Sequence, residues 1–578
     1  MLNPERPAEH RTPGLRRFRR LVSGWLLLVL SFALGAQSPP PGAPDPEAEY
    51  RLGERMYREG ILPSGLPMTG LVREDVPVQG VTFACTSCHL RGGLGSVEGG
   101  VVTPPTNAEK LYRPWFRHHP ALVGEERQGL PQQLRDPLRR PAYTDAGLTR
   151  ALTEGIDPAG RRLNDVMPRY ALDSTEAGVL VRYLRRLSAE PPPGVTPTTL
   201  KFATILTDEV SAGDRQDFLE VLRYRIAGHN RLGVDRETRG YRTIAAREGA
   251  LAFREWSLTI WELKGPASGW PAQLAAHYQR EPVFAILSGL SYRPWQPIHT
   301  FCEARGIPCI LPLTDLPHLD ETSWYTLYFS KGPFQEGEAA AAYLSDQGAA
   351  LAGRPILQVV ADQPEARALA AGFASGWADH GHVAVPTLQL RRGESPVQKR
   401  ILAGAQGQGD PILLLWAGPE VYPRLGRLTR QATSRVFLST SLLGPKVWDL
   451  PQEARARTWL TYPFRLFRPP ASMKAPEGTP EGTLARLRLV AGDTHRRIRS
   501  RAFAMMKSLS EAITRLGRDI YRDSLLDAYG MMMDDDETDY ERLSFGPGQR
   551  YASKGCYVVQ LPGGPLHGFL NQSDWVIH

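Results

Sequence analysis

The feature that most restricts this chain is one pentapeptide, Cys85-Thr86-Ser87-Cys88-His89. C-x-x-C-H is the pattern for c-type haem attachment. Two thiols add across the two haem vinyl groups, and the adjacent imidazole lies under the iron as proximal ligand. Alone, the pentapeptide also fits a thioredoxin-like redox pair or half of a zinc site. The redox pair wants a strand before the motif and a helix after it. Here Gly92, Gly93, Gly95, Gly99 and Gly100 follow and make loop. A zinc site wants a second Cys/His pair about 12–20 residues on, and the next cysteine is Cys302. The residues therefore predict one covalent haem c on Cys85 and Cys88, with His89 as the proximal iron ligand.

Attachment of this kind occurs outside the cytoplasm, and the N-terminus agrees. Arg16, Arg17, Arg19 and Arg20 precede an apolar run from Leu21 to Leu34, and the small residues Gly35 and Ala36 follow. That is the order of a secretory signal, and its apolar run is shorter than the about 20 residues of a membrane span. Cleavage is expected after Ala36, with Gly35 as the alternative and an uncleaved anchor as the minor one. The expected compartment is the periplasm, with no membrane span after cleavage. Removing the six arginines and two glutamates of residues 1–36 lowers the formal net charge from +8 to about +4. Without a basic stripe, that excess excludes a nucleic-acid role.

Low-spin electron carriers usually add a distal methionine, whose thioether raises the potential. Met167-Pro168 fits this role and is followed by a helical pattern from Ser174 to Ser188. In it Val179, Leu180, Tyr183, Leu184 and Leu187 repeat at helical spacing. An opening helix, Glu47 to Glu59, carries Leu52, Gly53, Met56 and Tyr57 on one side, with Gly53 allowing a second helix to approach. His118 and His119 are the alternative distal ligands. Met167 as core filler is the bland reading, and Met56 and Met68 are read as structural.

These residues resemble a class I cytochrome c, with Met167-Pro168-Arg169-Tyr170 and Tyr183-Leu184 matching that family's end. The resemblance covers about Pro46 to Ala189. It implies crossed terminal helices, Met167 as distal ligand, and a carbonyl near Pro104 or Pro105 accepting from the free nitrogen of His89. The longer intervals of this chain imply inserted loops.

Pro191, Pro192, Pro193, Gly194 and Pro197 mark a linker. Beyond it apolar strand-like runs alternate with helix-like ones. The strands are Phe202–Leu206, Val283–Leu287, Pro308–Leu311, Ile356–Ala361, Ile412–Leu415 and Val436–Leu438. The helices are Asp214–Ile226, Ile298–Arg305, Glu365–His380 and Pro419–Thr429. Such alternation predicts parallel sheets with helices on both faces, and the length calls for two lobes. Val283–Gly289, Gly306–Ile310, Gln335–Leu344, Ala370–Gly381 (read as opening the second lobe) and Ser500–Tyr529 resemble type I periplasmic binding proteins. The resemblance is architectural. It implies a ligand between the lobes, contacted by Ser291, Tyr292 and Thr314 in the loops after strand ends. Their bland reading is ordinary helix capping.

The expected fold class is thus multidomain: an all-α cytochrome c domain followed by a two-lobed α/β periplasmic-binding-protein-like (type I) domain. The expected boundaries are a signal peptide at 1–36, a Pro-rich spacer at 37–46, the cytochrome at 47–190, a linker at 191–199 and the lobes at 200–578. Cys302 and Cys309 are candidates for a disulfide in an oxidising compartment, with Cys556 a lone buried thiol within a strand. The acidic run Asp534, Asp535, Asp536, Glu537 and Asp539 lacks the spaced ligands of a calcium loop and is expected to be solvated. No catalytic residue is assigned. The expected function is electron transfer by an exported monohaem cytochrome tethered to a domain that senses a small ligand or docks a partner. The alternatives are a substrate-binding receptor of an ABC importer with an accessory haem domain, and a haem enzyme such as a peroxidase, which needs an open iron. Expected partners are a periplasmic redox protein and an amino-acid-like or carboxylate ligand.

Overall fold

The first helix, α1 (Pro46–Glu59), starts where the Asp45 carboxylate accepts the Glu47 N–H, with Pro46 at its first turn. Its buried side, Gly53, Met56 and Tyr57, faces α5 (Ser174–Arg186). That helix opens with a capping box of Asp173 and Glu176. A Cβ on Gly53 would sit 2.5 Å from Tyr183 Cβ and 2.9 Å from the Val179 carbonyl oxygen, so only glycine permits this crossing. Tyr50 and Tyr57 both pack on the Tyr183 ring, with centroids at 5.1 and 5.4 Å.

The computed structural model describes residues 45–73, 75–98, 101–117, 138–239, 252–320, 322–348, 354–390, 411–423, 425, 435–466, 494–532, 539–546, 548–563 and 568–577. The signal segment, most of the Pro-rich spacer, His118, His119 and Asp534–Glu537 lie outside them. Among the described residues no helix is long and apolar enough to cross a membrane.

Between α1 and α5 lie three shorter helices: α2 (Thr86–His89), α3 (Ala108–Leu111) and α4 (Asp145–Thr153). This part is not all-α. Strands β1 (Thr69–Val72) and β2 (Val76–Gln79) form a hairpin, and β7 (Arg169–Tyr170) adds to β1 antiparallel. Two further ladders are β3 (Val97–Glu98) with β4 (Val101–Val102) and β5 (Trp115–Arg117) with β6 (Leu138–Arg140). They fall in the stretches that lengthen the intervals flanking the C-x-x-C-H motif. Backbone groups without a helix to join are satisfied there by short antiparallel pairs.

From Thr199 the chain forms two α/β lobes, the architecture that the second resemblance implies. The first sheet has the order β12–β11–β10–β8–β9, all parallel. Its strands are β8 (Thr199–Thr207), β9 (Glu255–Leu263), β10 (Ala285–Leu287), β11 (Cys309–Ile310) and β12 (Thr326–Leu327). Alternate residues of β8 feed two cores: Leu200, Phe202 and Leu206 one way, Ala203 and Ile205 the other. Helices α6 (Ala212–Arg239), α7 (Trp270–Arg280) and α8 (Gln296–Arg305) connect the strands.

The second lobe opens with α9 (Pro333–Asp346), earlier than the expected Ala370, and α9 packs along α10 (Pro364–Asp379). Its sheet runs β14 (Thr387–Leu390), β13 (Ile356–Ala361), β15 (Ile412–Trp416), β16 (Val436–Ser439) and β17 (Thr458–Tyr462), all parallel. Strand β18 (Gly555–Gln560) joins antiparallel, with β19 (Leu570–Asn571) and β20 (Val576–Ile577) beside it. The expected helix at 419–429 is described only as a short turn, Pro419–Val421. Helices α11 (Thr494–Leu516) and α12 (Arg522–Gly530) return to the first lobe, where Phe503, Met505, Leu509, Leu525 and Tyr529 enter its core.

Candidate functional site

The C-x-x-C-H motif forms a single helical turn, closed by the His89 N–H donating to the Cys85 carbonyl at 2.8 Å. Cys85, Cys88 and His89 therefore stand three and four residues apart along one turn, close enough to engage one planar group. Leu90 leaves the turn with φ +63°, and its carbonyl accepts the Tyr57 hydroxyl at 2.8 Å. His89 Nδ1 lies 2.8 Å from the Pro104 carbonyl oxygen, the position named from the first resemblance. The approach depends on Gly95, where a Cβ would meet the Thr103 oxygen at 2.2 Å. Burial pushes the His89 imidazole below its usual range, against the Pro104 bond. With Nδ1 spent on that carbonyl, Nε2 is the nitrogen left for a metal. Burial also pushes the Cys85 thiol up to about 12.

Met167 packs against the same apolar cluster as Cys85, together with Met56, Tyr57, Met68 and Leu180. The Arg169 guanidinium braces its loop by donating to the carbonyls of Met167 and Leu163. Three residues after Met167, the Tyr170 hydroxyl donates to the Phe83 carbonyl. Burial first, then the neighbouring Cys85 and Cys88, push the Tyr170 phenol up. The methionine loop and the cysteine turn are thus tied together across 87 residues of sequence. Five large apolar side chains, Leu66, Leu71, Val76, Val81 and Val97, are exposed within the span 66–97 that holds the motif. The donor set and this exposed apolar surface fit a covalently attached, partly exposed haem.

A second place is the crevice of the first lobe. The chain leaves β8 for β9 on one side and continues to β10 on the other, which makes the carboxyl ends of β8 and β10 a topological switch point. Ser291 and Tyr292 stand there, as expected, but their polar atoms are taken by the chain itself. The Ser291 hydroxyl and the Tyr292 N–H donate to Glu209 at 3.0 and 3.1 Å, and the Tyr292 hydroxyl donates to Asp214. Thr314 does not join them: its hydroxyl accepts the Leu316 N–H at 3.1 Å and shapes a turn, the capping role. Cys302 and Cys309 meet as buried free thiols rather than as a disulfide.

No protein-family model and no curated protein matches the chain. Among solved structures it is similar to a putative branched-chain amino acid ABC transporter protein from Rhodospirillum rubrum. Identity there is 16%, over 66% of this chain and 100% of that one, with a TM-score of 0.46. A branched-chain amino acid ABC transporter protein from Thermus thermophilus with bound valine gives 12% identity, 66% and 97% coverage and a TM-score of 0.45. A solute-binding protein from R. palustris in complex with benzoate gives 12%, 66% and 96%, and 0.43. Likenesses this distant carry no inference about what this chain binds.

Sequence reasoning missed Glu209 and the buried Asp527, which accepts the N–H groups of Arg91 and Gly92. Glu209 has a local signal, since an acid two residues past a strand end sits beside the crevice. Asp527 has none, lying 435 residues from Gly92.

Proposed function

We propose that this chain is an exported c-type haem protein whose N-terminal domain transfers electrons and whose two-lobed part meets a solute or a protein partner. The single observation that carries the reading is the 2.8 Å bond between His89 Nδ1 and the Pro104 carbonyl beside the two cysteines. Haem c bound there supplies a one-electron iron couple. Cys85 and Cys88 anchor it through thioether bonds. The Pro104 carbonyl holds the His89 tautomer that offers Nε2 and raises its basicity. Met167 presents a thioether from a loop that Arg169 braces, and Tyr57, Tyr170 and the apolar cluster keep water from that side.

The test is the visible spectrum of protein produced with export and haem maturation. A low-spin c-type spectrum with a thioether–iron band near roughly 695 nm, lost in Met167→Ala, is expected. Protein without haem, or haem removed from wild type by acidic organic extraction, overturns the reading. An unchanged band in Met167→Ala overturns the ligand assignment alone.

The switch-point crevice favours a second reading for the two lobes, solute capture as the receptor of an ATP-driven importer. Its test is the thermal midpoint with a panel of amino acids and small carboxylates, and no shift with any of them removes it.

A further inference from the structure

Glu209 lies two residues beyond the end of β8, with its side chain turned into the switch-point crevice. One oxygen, Oε1, accepts three hydrogen bonds: from the Thr207 hydroxyl at 2.7 Å, the Ser291 hydroxyl at 3.0 Å and the Tyr292 N–H at 3.1 Å. Arg293 Nε lies 3.5 Å from the other oxygen and also pairs with Asp208 at 3.3 Å. Ser291 is only 1% exposed, and the other acceptor within reach of its hydroxyl is the Arg293 carbonyl at 3.3 Å. Three donors converging on one oxygen, with a guanidinium behind, are the arrangement that recognises a carboxylate. They come from two strand ends that the topology brings together and from no continuous stretch of sequence.

We propose that Glu209 is a tethered occupant of a carboxylate-binding nest, so that a small carboxylate enters this crevice only by taking its place. The inference rests on the reading of the crevice as a solute site, and it deepens that reading by naming the ligand group. Removing Glu209 without replacement leaves the Tyr292 N–H without its acceptor and turns the Thr207 and Ser291 hydroxyls to the longer 3.3 Å bonds with the Leu290 and Arg293 carbonyls, a loss of hydrogen bonding that destabilises the crevice. A ligand carboxylate supplies the same acceptor. Its apparent affinity is the intrinsic affinity reduced by the fraction of molecules in which Glu209 has swung out. Thr314, spent on its own turn, takes no part.

The test is chemical rescue. Glu209→Ala removes a CH2–carboxylate group, which acetate matches in size and charge. Glu209→Gln keeps the nest filled by an amide. In about 50 mM sodium acetate, against sodium chloride at equal ionic strength, the thermal midpoint of Glu209→Ala should rise by about 2–4 °C. Wild type and Glu209→Gln should respond by less than about 1 °C. A Glu209→Ala protein that melts alike in both salts, or a wild type that acetate stabilises equally, overturns the proposal. If Glu209→Ala is insoluble, it is refolded in each salt. Recovery in acetate alone supports the nest, and recovery in neither while Glu209→Gln refolds overturns it. A wild type that no amino acid or carboxylate shifts, beside a Glu209→Ala that acetate rescues, removes the solute reading and leaves the tethered occupant standing.

Discussion

Asp527 of α12 accepts the backbone N–H of Gly92 at 2.6 Å, three residues beyond His89, and that of Arg91 at 3.2 Å. One turn earlier on the same helix Asp523 pairs with Arg58 at 2.7 Å and accepts the Tyr325 hydroxyl at 3.1 Å. A further four residues back, Asp519 meets Lys110 at 3.3 Å. Asp523 and Asp527, one turn apart, thus present one face of α12 to the Arg58 guanidinium and the Arg91 and Gly92 amides of the N-terminal domain, and Asp519, in the link before the helix, adds the Lys110 contact. The loop that follows the proposed iron ligand is seated on the first lobe, so a displacement of α12 reaches His89 through two peptide bonds and Leu90.

The acids of this interface and of the second lobe set a pH dependence. Burial pushes Asp527 up to about 7, opposed by the Gly92 N–H, and burial does the same to Glu336. Between about pH 4, where an unfolded carboxyl titrates, and about 7, the folded protein holds protons the unfolded chain has lost. These two acids should therefore contribute a loss of stability as pH rises through that window, levelling off above it, against a gain from His299, which burial pushes down to about 4. Thermal midpoints at pH 5, 6 and 7 check this. Asp527→Asn should flatten the slope in part and Asp527→Asn with Glu336→Gln further; a single variant that keeps the full slope refutes the assignment.

Removing Arg58 should undock the N-terminal domain. Its guanidinium and the Asp523 carboxylate are 16% and 17% exposed, and deleting Arg58 leaves that largely buried carboxylate to the Tyr325 hydroxyl and to Arg91 at 3.7 Å. Arg58→Ala should cost about 2–4 kcal/mol at this interface. Limited digestion with a nonspecific protease should then cut faster near residues 187–201, separating the domain from the lobes. An unchanged cleavage rate would mean that the domain is held by other contacts.

How much of this was legible depends on distance along the chain. The helix faces around Gly53 and Tyr183 rest on local periodicity, and the structure places them accordingly; the Pro104 carbonyl, expected from the resemblance to class I cytochromes c, lies 2.8 Å from His89 Nδ1. Strands Ile356–Ala361 and Ile412–Trp416 are buried on both faces at their centres and read as apolar runs, the first broken only by the buried Gln358. Strand β9 (Glu255–Leu263) was missed because its burial is uneven and Glu255, Ser257 and Glu262 interrupt the run. Strand β18 was read as a strand around Cys556, but not its antiparallel place beside β17, because it reaches that sheet only after the chain has revisited the first lobe. The contacts of Asp523 and Asp527 with the N-terminal domain and those of Glu209 with Ser291 and Tyr292 join residues 82 to 465 positions apart, and no periodicity encodes such pairs.

The thiols offer a direct count. Cys302, Cys309 and Cys556 are fully buried and free, and burial pushes the Cys302 thiol well up, with Cys309 beside it adding to the shift. The thiolate is the reactive form, so the native haem-bearing protein should take up no maleimide at these three positions. In denaturant, intact mass should show all three alkylated. One adduct in place of three would mean that Cys302 and Cys309 had paired.

Gly53→Ala tests the helix crossing on which the proposed haem domain depends. The added methyl would meet Tyr183 Cβ at 2.5 Å and the Val179 carbonyl oxygen at 2.9 Å. Neither atom lies at the end of a flexible side chain, so relief requires α1 and α5 to move apart. Separation would loosen Tyr57, whose ring packs on Tyr183 and whose hydroxyl holds the Leu90 carbonyl next to His89. Overpacking of this kind costs about 1–3 kcal/mol, and the N-terminal transition should shift down by about 3–10 °C while the lobes melt as before. In haem-bearing protein the same variant should weaken the thioether band, because the loosened helices carry the cluster against which Met167 packs. A midpoint and spectrum both equal to wild type would show that the helices do not cross at Gly53.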